Sequence, residues 1–150
     1  MLYLVSACLA GLRSRHDGTD ALQETVKALL QKGLALPLCP EQLGGLGTPR
    51  EAVEFSQGDG QAVLQGLGRV VGVESGQDFT QALLRGAREC LRLAELYGLR
   101  LAVLKDGSPS CGPHTVYRDG AKVRGMGVTA ALLKGRGIRV LSPQELGQGR

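Results

Sequence analysis

Short apolar runs that lead into polar loops recur along the chain and predict a sheet of buried strands. Runs 2–5, 34–38 and 101–104 each have the length and continuous apolar character of a strand that is covered on both faces. Each run is followed by a loop that contains one cysteine: Cys8, Cys39 and Cys111. Because parallel strands present their carboxyl ends at one edge of a sheet, we expect these three loops to converge.

Two amphipathic segments predict helices that pack on this sheet. The first follows a candidate cap at Thr19 or Asp20 and carries four apolar residues on one face: Leu22, Val26, Leu29 and Leu30. The second is the longest, from a capping-box-like start at Asp78 to a stop at Gly98. A strand–helix–strand unit of ordinary crossover length is right-handed in almost all proteins, which makes the first two strands parallel.

The stretch from 40 to 76 is less regular, and we interpret it as a loop-rich insertion that covers the site. Short strands are predicted within it at 52–55 and 69–73, while 41–50 has the composition of a loop. Further along, 116–123 is typical of a small hairpin because its Asp-Gly pair favours a tight reversing turn.

The remaining segments are a short predicted helix at 127–134 and a final strand at 138–141, followed by a fraying tail. Strands that alternate with helices in this way indicate an α/β fold with a mostly parallel sheet. The chain has 150 residues, of which 43% are hydrophobic, so it is long enough for a core of its own. We expect a single domain over residues 1–150.

Composition narrows the choice of partners. The net charge of +4 is spread without basic runs, and aromatic residues make up only 3% of the chain, which excludes an aromatic platform for single-stranded nucleic acid. No apolar run approaches the roughly 20 residues of a membrane span. We therefore expect a small-molecule partner, neither a nucleic acid polymer nor a membrane, and a monomer or small homo-oligomer.

The four cysteines are better explained by packing, metal binding or catalysis than by disulfide bonds. The amino terminus carries no charged segment before its first predicted strand, so we expect no signal peptide and a cytoplasmic protein. Structural disulfides are uncommon in that compartment, so the four cysteines are packing, metal-binding or catalytic residues. Cys90 lies on the apolar stripe of the longest helix, where cysteine acts as a small hydrophobic residue.

The other three cysteines, Cys8, Cys39 and Cys111, have two interpretations. Either they are small residues that happen to follow strands, since no local C-x-x-C pair fixes a metal site, or their convergence makes a site for a soft metal. Three thiolates suit zinc, with His16 or water as the fourth ligand. They equally suit a 4Fe–4S cluster that keeps one open iron.

Polar residues beside two of these cysteines are candidates for the chemistry itself. Glu41 is two residues after Cys39 and is either a general acid–base group or an exposed or capping residue. Ser108 and Ser110 precede Cys111 in a turn, where a hydroxyl positions substrate, relays a proton, or only stabilises the turn.

Two cations are candidates for contact with an anionic group of a substrate. These are Lys105 and Arg50, and the alternative for each is a solvated charge. Together with Ser6 and Ser110 they make up the predicted substrate-binding set.

Several motifs occur in order over nearly the whole chain: Ser6-Ala7-Cys8-Leu9-Ala10-Gly11, Arg15-His16-Asp17-Gly18, Cys39-Pro40-Glu41 with Gly44-Gly45-Leu46 and Pro49-Arg50, Leu104-Lys105 with Ser108-Pro109-Ser110-Cys111-Gly112, and Gly125-Met126-Gly127-Val128-Thr129-Ala130. This series resembles a small bacterial family known as domain of unknown function 523, whose characterised members are thiouracil desulfidases. The resemblance implies a Rossmann-like, three-layer α/β domain with a mostly parallel sheet and a loop-rich insertion.

The resemblance also implies a cofactor and roles for individual residues. It assigns an oxygen-sensitive 4Fe–4S cluster to Cys8, Cys39 and Cys111. In such enzymes the sulfur of a thiolated pyrimidine binds the open iron, water attacks the carbon, and the products are the oxo-base and sulfide. Proton transfer is assigned to Glu41, with Ser108 as its partner.

Two positions depart from the family pattern. Ser14 stands where many relatives have cysteine, and His16 stands where tyrosine is usual, so three candidate thiolates remain. The predicted function is iron–sulfur-dependent desulfuration of a small thiolated base or nucleoside. The alternative is a non-catalytic zinc- or sulfur-binding protein that uses the same cysteines. Glu41 beside Ser108 favours the enzyme, because a carrier needs no acid–base pair.

Overall fold

Along residues 2–147, the part of the chain that this computed structural model describes, short strands alternate with helices. In chain order the elements are β1 (Tyr3–Ser6), α1 (Glu24–Gln31), β2 (Ala35–Leu38), α2 (Pro40–Leu43), β3 (Val53–Gln57), α3 (Gly60–Leu64), β4 (Arg69–Gly72), α4 (Thr80–Tyr97), β5 (Leu101–Val103), β6 (Thr115–Arg118), β7 (Ala121–Arg124), α5 (Val128–Gly135), β8 (Arg139–Leu141) and α6 (Pro143–Gly147). A turn of 3₁₀ helix, Ala7–Ala10, follows β1 directly.

The strands that lead to the three loop cysteines are neighbours in one parallel sheet, as the apolar runs predict. β1 pairs with β2 on one side and with β5 on the other, and β8 extends the sheet beyond β5. Leu4 and Ala102 face a core formed with α4 and α5, whereas Val5 and Val103 face a core formed with α1. Helices therefore cover both faces of the sheet, which confirms the three-layer α/β fold.

A second sheet has the strand order β4-β3-β6-β7. β3 pairs antiparallel with β4, and β6 pairs antiparallel with β7. The two antiparallel pairs join through a parallel contact between Phe55 and Arg118. The sequence pattern predicts the insertion at 40–76 and the hairpin at 116–123 as two separate segments. It does not predict that they share a sheet, because the contact between them joins residues that are far apart along the chain.

Helix α4 contributes to the cores of both sheets. Its first half places Leu83 and Ala87 against Phe55 of the second sheet, and its second half places Cys90 and Ala94 in the core of the first. Phe55, Leu83, Ala87 and Cys90 are all 0% exposed. Cys90 is thus a buried packing residue, as predicted, and α4 holds the two sheets together.

The structure corrects both predicted helix starts. α1 begins at Glu24, because the Asp20 carboxylate accepts a hydrogen bond from the Leu22 amide (3.0 Å) and forms a turn rather than a helix cap. Leu22 is 40% exposed and does not belong to the buried stripe. In the same way the Asp78 carboxylate accepts a hydrogen bond from the Thr80 amide (2.8 Å), and α4 begins at Thr80.

Two segments predicted to be irregular are partly helical. The predicted loop at 41–50 overlaps α2, whose first residue is Pro40, a position at which an amide N–H is not needed. The expected fraying tail contains α6, which a capping box precedes: the Ser142 amide donates to Glu145 (2.8 Å), and the Glu145 amide donates to the Ser142 hydroxyl (3.3 Å). No helix within residues 2–147 is both long enough and apolar enough to cross a membrane.

Helices α2 and α4 touch through glycines, which brings their backbones unusually close. A Cβ atom on Gly86 would lie 1.9 Å from the Pro40 carbonyl oxygen, and one on Gly44 would lie 2.1 Å from the Ala82 carbonyl oxygen. Any side chain at these positions would push the helices apart. The contact seats α2, which begins directly after Cys39 and carries Glu41, on the longest helix of the fold.

We expect Gly86→Ala to lower the free energy of unfolding by about 1–3 kcal/mol, because the added methyl group must displace backbone atoms. Urea denaturation measures the change. Gly135→Ala is the matched control, since Gly135 also lies in a helix but a Cβ there meets no atom within 4 Å. That control should be neutral or should stabilise by up to about 1 kcal/mol. Equal stability of the two variants would contradict the close packing of α2 on α4.

Candidate functional site

A cavity of about 520 Å³ lies at the carboxyl ends of β1, β2 and β5. This volume falls in the range of small-molecule sites. One wall comes from the loops that follow those strands, and the other comes from the second sheet, at Val53, Glu54, Tyr117 and Lys122. As predicted, part of the 40–76 segment therefore covers the site.

All three loop cysteines line this cavity, so their loops converge as predicted. Cys8 lies in the 3₁₀ turn after β1, Cys39 directly precedes α2, and Cys111 lies in the turn after β5. None of them forms a disulfide, and Cys8 and Cys111 are buried, whereas Cys39 is partly exposed.

Burial controls the charge state of two of these thiols. Burial raises the pKa of Cys8 to about 11, although the Lys105 charge opposes the rise. Burial also raises the pKa of Cys111 well above its usual value, against a hydrogen bond from Ser6. These thiols are therefore protonated near neutral pH when no metal binds them, and metal ligation would release their protons.

The cysteine thiols are the candidate metal donors of this cavity. Within residues 2–147, no three His, Cys, Asp or Glu side chains come together closely enough to hold one metal ion. Zinc would need its ligands about 2–2.3 Å from a single centre. Three soft thiol donors around one cavity suit a larger group with several metal atoms, such as an iron–sulfur cluster.

Arg50, which is predicted to bind an anionic group of the substrate, lines the cavity, and its guanidinium group is bonded within the protein. Its Nε donates to Glu41 Oε1 (2.9 Å), and Nη1 donates to Thr48 Oγ1 (2.7 Å) and the Gly47 carbonyl oxygen (3.2 Å). Its Nη2 donates to the Ser14 carbonyl oxygen (2.9 Å) and to Cys39 Sγ (3.7 Å). A guanidinium group has five N–H donors, so all of them are used within the protein.

Glu41 is buried, with both carboxylate oxygens held. Arg50 bonds Oε1, and the Ser110 hydroxyl donates to Oε2 at 3.0 Å. The resemblance implies Ser108 as the partner of Glu41. In the structure, Ser108 Oγ accepts hydrogen bonds from the backbone amides of Ser110 and Cys111, both at 3.1 Å. The hydroxyl that touches Glu41 therefore belongs to the second serine of the turn, while Ser108 lines the cavity and shapes the cysteine loop.

Ser6 and Lys105 also line the cavity, where both were predicted to contact substrate. The Ser6 hydroxyl accepts a hydrogen bond from the Lys105 amide (3.0 Å) and bonds the Cys111 thiol, so it ties the loop after β5 to the end of β1 at two points. Lys105 Nζ donates to the Asp106 carbonyl oxygen (3.2 Å). Lys105 thus places its ammonium group at the cavity, whereas Ser6 acts mainly on the cysteine loop.

Comparison with known proteins identifies the family. The sequence model of the 2-thiouracil desulfurase family matches residues 3–145. The chain belongs to this family. A family relative, the uncharacterized protein YbbK of Bacillus subtilis (strain 168), is 42% identical over 148 residues, which cover 97% of each chain.

A solved structure resembles this desulfurase family member over nearly its full length. That protein is described as 4Fe–4S-dependent thiouracil desulfidase TudS, and the two are 41% identical in sequence. The superposition has a TM-score of 0.85 and covers 98% of this chain and 93% of the other.

The start of α5 holds the Cys111 loop of this desulfurase family member in place, a role that the sequence analysis missed. The Val128 amide donates to the Pro109 carbonyl oxygen (2.9 Å), and the Thr129 amide donates to that of Ser110 (2.8 Å). A Cβ on Gly127 would lie 2.5 Å from the Ser110 carbonyl group, so only glycine fits there. The Gly-Met-Gly motif was the available signal, although its spacing alone does not name the loop that it contacts.

The wall residues from the second sheet were missed as well. Glu54, Tyr117 and Lys122 line the cavity only because β3 pairs with β6. No local motif marks these residues, so no signal in the sequence would have found them.

We expect Ser110→Ala to lower the free energy of unfolding by about 1–3 kcal/mol, because it leaves a buried carboxylate oxygen of Glu41 without its donor. Ser75→Ala is the matched control, since the Ser75 hydroxyl donates to Glu51 Oε2 (2.7 Å) at an exposed site. Urea denaturation of both variants should show the larger loss for Ser110→Ala. A larger loss for Ser75→Ala would contradict the buried contact.

Proposed function

We propose that this chain is a desulfidase that replaces the sulfur of a small thiolated pyrimidine base, thiouracil or a similar base or its nucleoside, by oxygen. The observation that carries the proposal is the meeting of three free cysteines and a buried, hydrogen-bonded Glu41 on one cavity. The 4Fe–4S dependence stated for TudS supports the same proposal, since that protein shares the fold and 41% of the sequence.

The donor set fits a 4Fe–4S cluster, and Cys8, Cys39 and Cys111 are the residues that would hold it. They are soft donors, they lie in three different loops, and all three line the same cavity. When bound, such a cluster supplies a Lewis-acidic iron with affinity for the sulfur of the substrate. The Lys105 charge partly offsets the burial that raises the pKa of Cys8, and Arg50 Nη2 donates to Cys39 Sγ (3.7 Å).

Glu41 is the group proposed to move the proton. The overall reaction joins water to the thiolated base, forms a C–O bond, breaks the C–S bond and releases hydrogen sulfide, with no net oxidation or reduction. Glu41 accepts a proton from the attacking water at its carboxylate and passes it on to the departing sulfur. The bonds from Arg50 and Ser110 fix the carboxylate before substrate arrives, so no reorientation is needed during the reaction.

The remainder of the cavity is proposed to hold the substrate ring. Apolar and small residues at Leu38, Pro40 and Val53 exclude water from the inner wall. Tyr117, on the facing wall, offers an aromatic surface for a planar base.

Chemical analysis tests the cofactor. Anaerobic reconstitution should give about four iron atoms and four acid-labile sulfides per chain, with visible absorption typical of the cluster. Cys8→Ser, Cys39→Ser and Cys111→Ser should each lose most of this iron, whereas Cys90→Ala, which changes a core cysteine outside the cavity, should retain it. Tight stoichiometric zinc without iron uptake would overturn the cluster and favour a binding protein.

Glu41→Gln should retain the iron content but lower kcat for thiouracil by about 10²- to 10⁴-fold, because the amide is nearly isosteric but cannot take up the proton. Steady-state release of sulfide measures the change. Glu95→Gln, at an exposed ion pair with Arg136, is the control and should leave the rate unchanged. Full turnover by Glu41→Gln would remove Glu41 from the mechanism.

A further inference from the structure

Arg50 connects three separate segments around the site, and this carries an inference beyond the proposed reaction. We infer that Arg50 is a positioning residue that holds Glu41 and Cys39 in one fixed arrangement and makes no contact with substrate. The inference rests on the proposed function only for its kinetic consequence. The structural part of the inference is that one guanidinium group, through its hydrogen bonds, holds the start of α2 against two neighbouring loops.

Because Arg50 is largely buried, each of its N–H donors needs an acceptor within the protein. The side chain is 10% exposed, and a cation withdrawn from water is stable only when its donors are matched by acceptors. Here the acceptors are one carboxylate, two carbonyl oxygens, one hydroxyl and one sulfur atom. A substrate anion would have to displace one of these partners and leave it unpaired.

The five donors reach residues from three parts of the chain. The Ser14 carbonyl belongs to the loop after β1, Cys39 and Glu41 belong to the start of α2, and Gly47 and Thr48 belong to the loop that follows α2. The backbone of Arg50 adds a further bond, since its amide donates to the His16 carbonyl oxygen (2.8 Å). Segments 14–16 and 47–50 are thereby joined to α2.

This arrangement requires the shape of arginine as well as its charge. The guanidinium group is planar and presents its N–H bonds in fixed directions, whereas a lysine ammonium group has three donors at one point. Lysine at this position would keep the charge but would lose contact with at least two of the five acceptors. Glu41 would then be held from the Ser110 side alone.

Other cations remain to meet an anionic group of a substrate. Arg15, Lys105 and Lys122 all line the cavity. Within the described chain, the Lys105 ammonium group donates to a single carbonyl oxygen, so it retains N–H bonds for a ligand. Arg50 lines the cavity as well, but its five N–H bonds are taken by acceptors within the protein, so it orders the site while the other cations can meet a ligand.

The kinetic test compares Arg50→Lys with Arg69→Lys, because Arg69 also uses its Nε to bond a carboxylate, that of Asp78 at 3.2 Å, but at an exposed site. In the reconstituted holoenzyme, we expect Arg50→Lys to lower kcat about 10- to 100-fold with KM changed less than about 3-fold. Arg69→Lys should change neither. A large rise in KM with kcat unchanged would show that Arg50 binds substrate and would overturn the inference.

A second readout does not depend on the cofactor or on turnover. In the cofactor-free protein, amide hydrogen exchange should be faster in both 14–16 and 47–50 for Arg50→Lys, and unchanged there for Arg69→Lys. Unchanged exchange in both segments would overturn the positioning role whatever reaction the protein performs. Faster exchange in a protein without desulfidase activity would retain the role and reject the proposed function.

If Arg50→Lys does not fold, a variant with a smaller change tests the same inference. Thr48→Val removes one acceptor of Arg50 but keeps the shape of the side chain and leaves Arg50 in place. It should accelerate exchange in 47–50 and lower kcat by a smaller factor than Arg50→Lys, again with KM retained. Wild-type exchange and kcat in this variant would overturn the inference.

Discussion

The parallel pairing of β1 with β2 on one side and β5 on the other is the constraint on which the rest of the site depends. Parallel strands end at the same edge, so three polar loops and their cysteines must meet there. Alternation of side chains along these short strands then sends residues to both cores, and helices have to cover both faces. The cavity is the space left where the loops meet the second sheet.

Charge buried at this edge is stable because every charged group has partners. Glu41 bonds Arg50 and Ser110, and Arg50 in turn bonds the loops around it. Burial raises the pKa values of Cys8 and Cys111, so these two thiols remain neutral until a positive centre binds them. The result is a site with a fixed carboxylate and two neutral, buried thiols.

Close contacts at two glycines place helices directly against the loops that carry the cysteines. Gly86 allows α4 to approach α2, and Gly127 allows α5 to approach the Cys111 loop, so each of two cysteine loops rests on a helix. The same helix α4 packs against both sheets, which fixes the distance between the two walls of the cavity. Positions that carry no chemistry therefore determine where the reactive groups lie.

The sequence by itself determined the local elements and the reactive groups, because apolar runs, turn residues and cysteines at strand ends are local signals. Only the tertiary structure decided which serine touches Glu41, that all five Arg50 donors are used within the protein, and that Tyr117 lines the same cavity as the cysteines. Each of these facts depends on side-chain direction or on the pairing of β3 with β6, which join residues distant in the chain. Spacing along a sequence reports which groups are available, and only packing determines which of them meet.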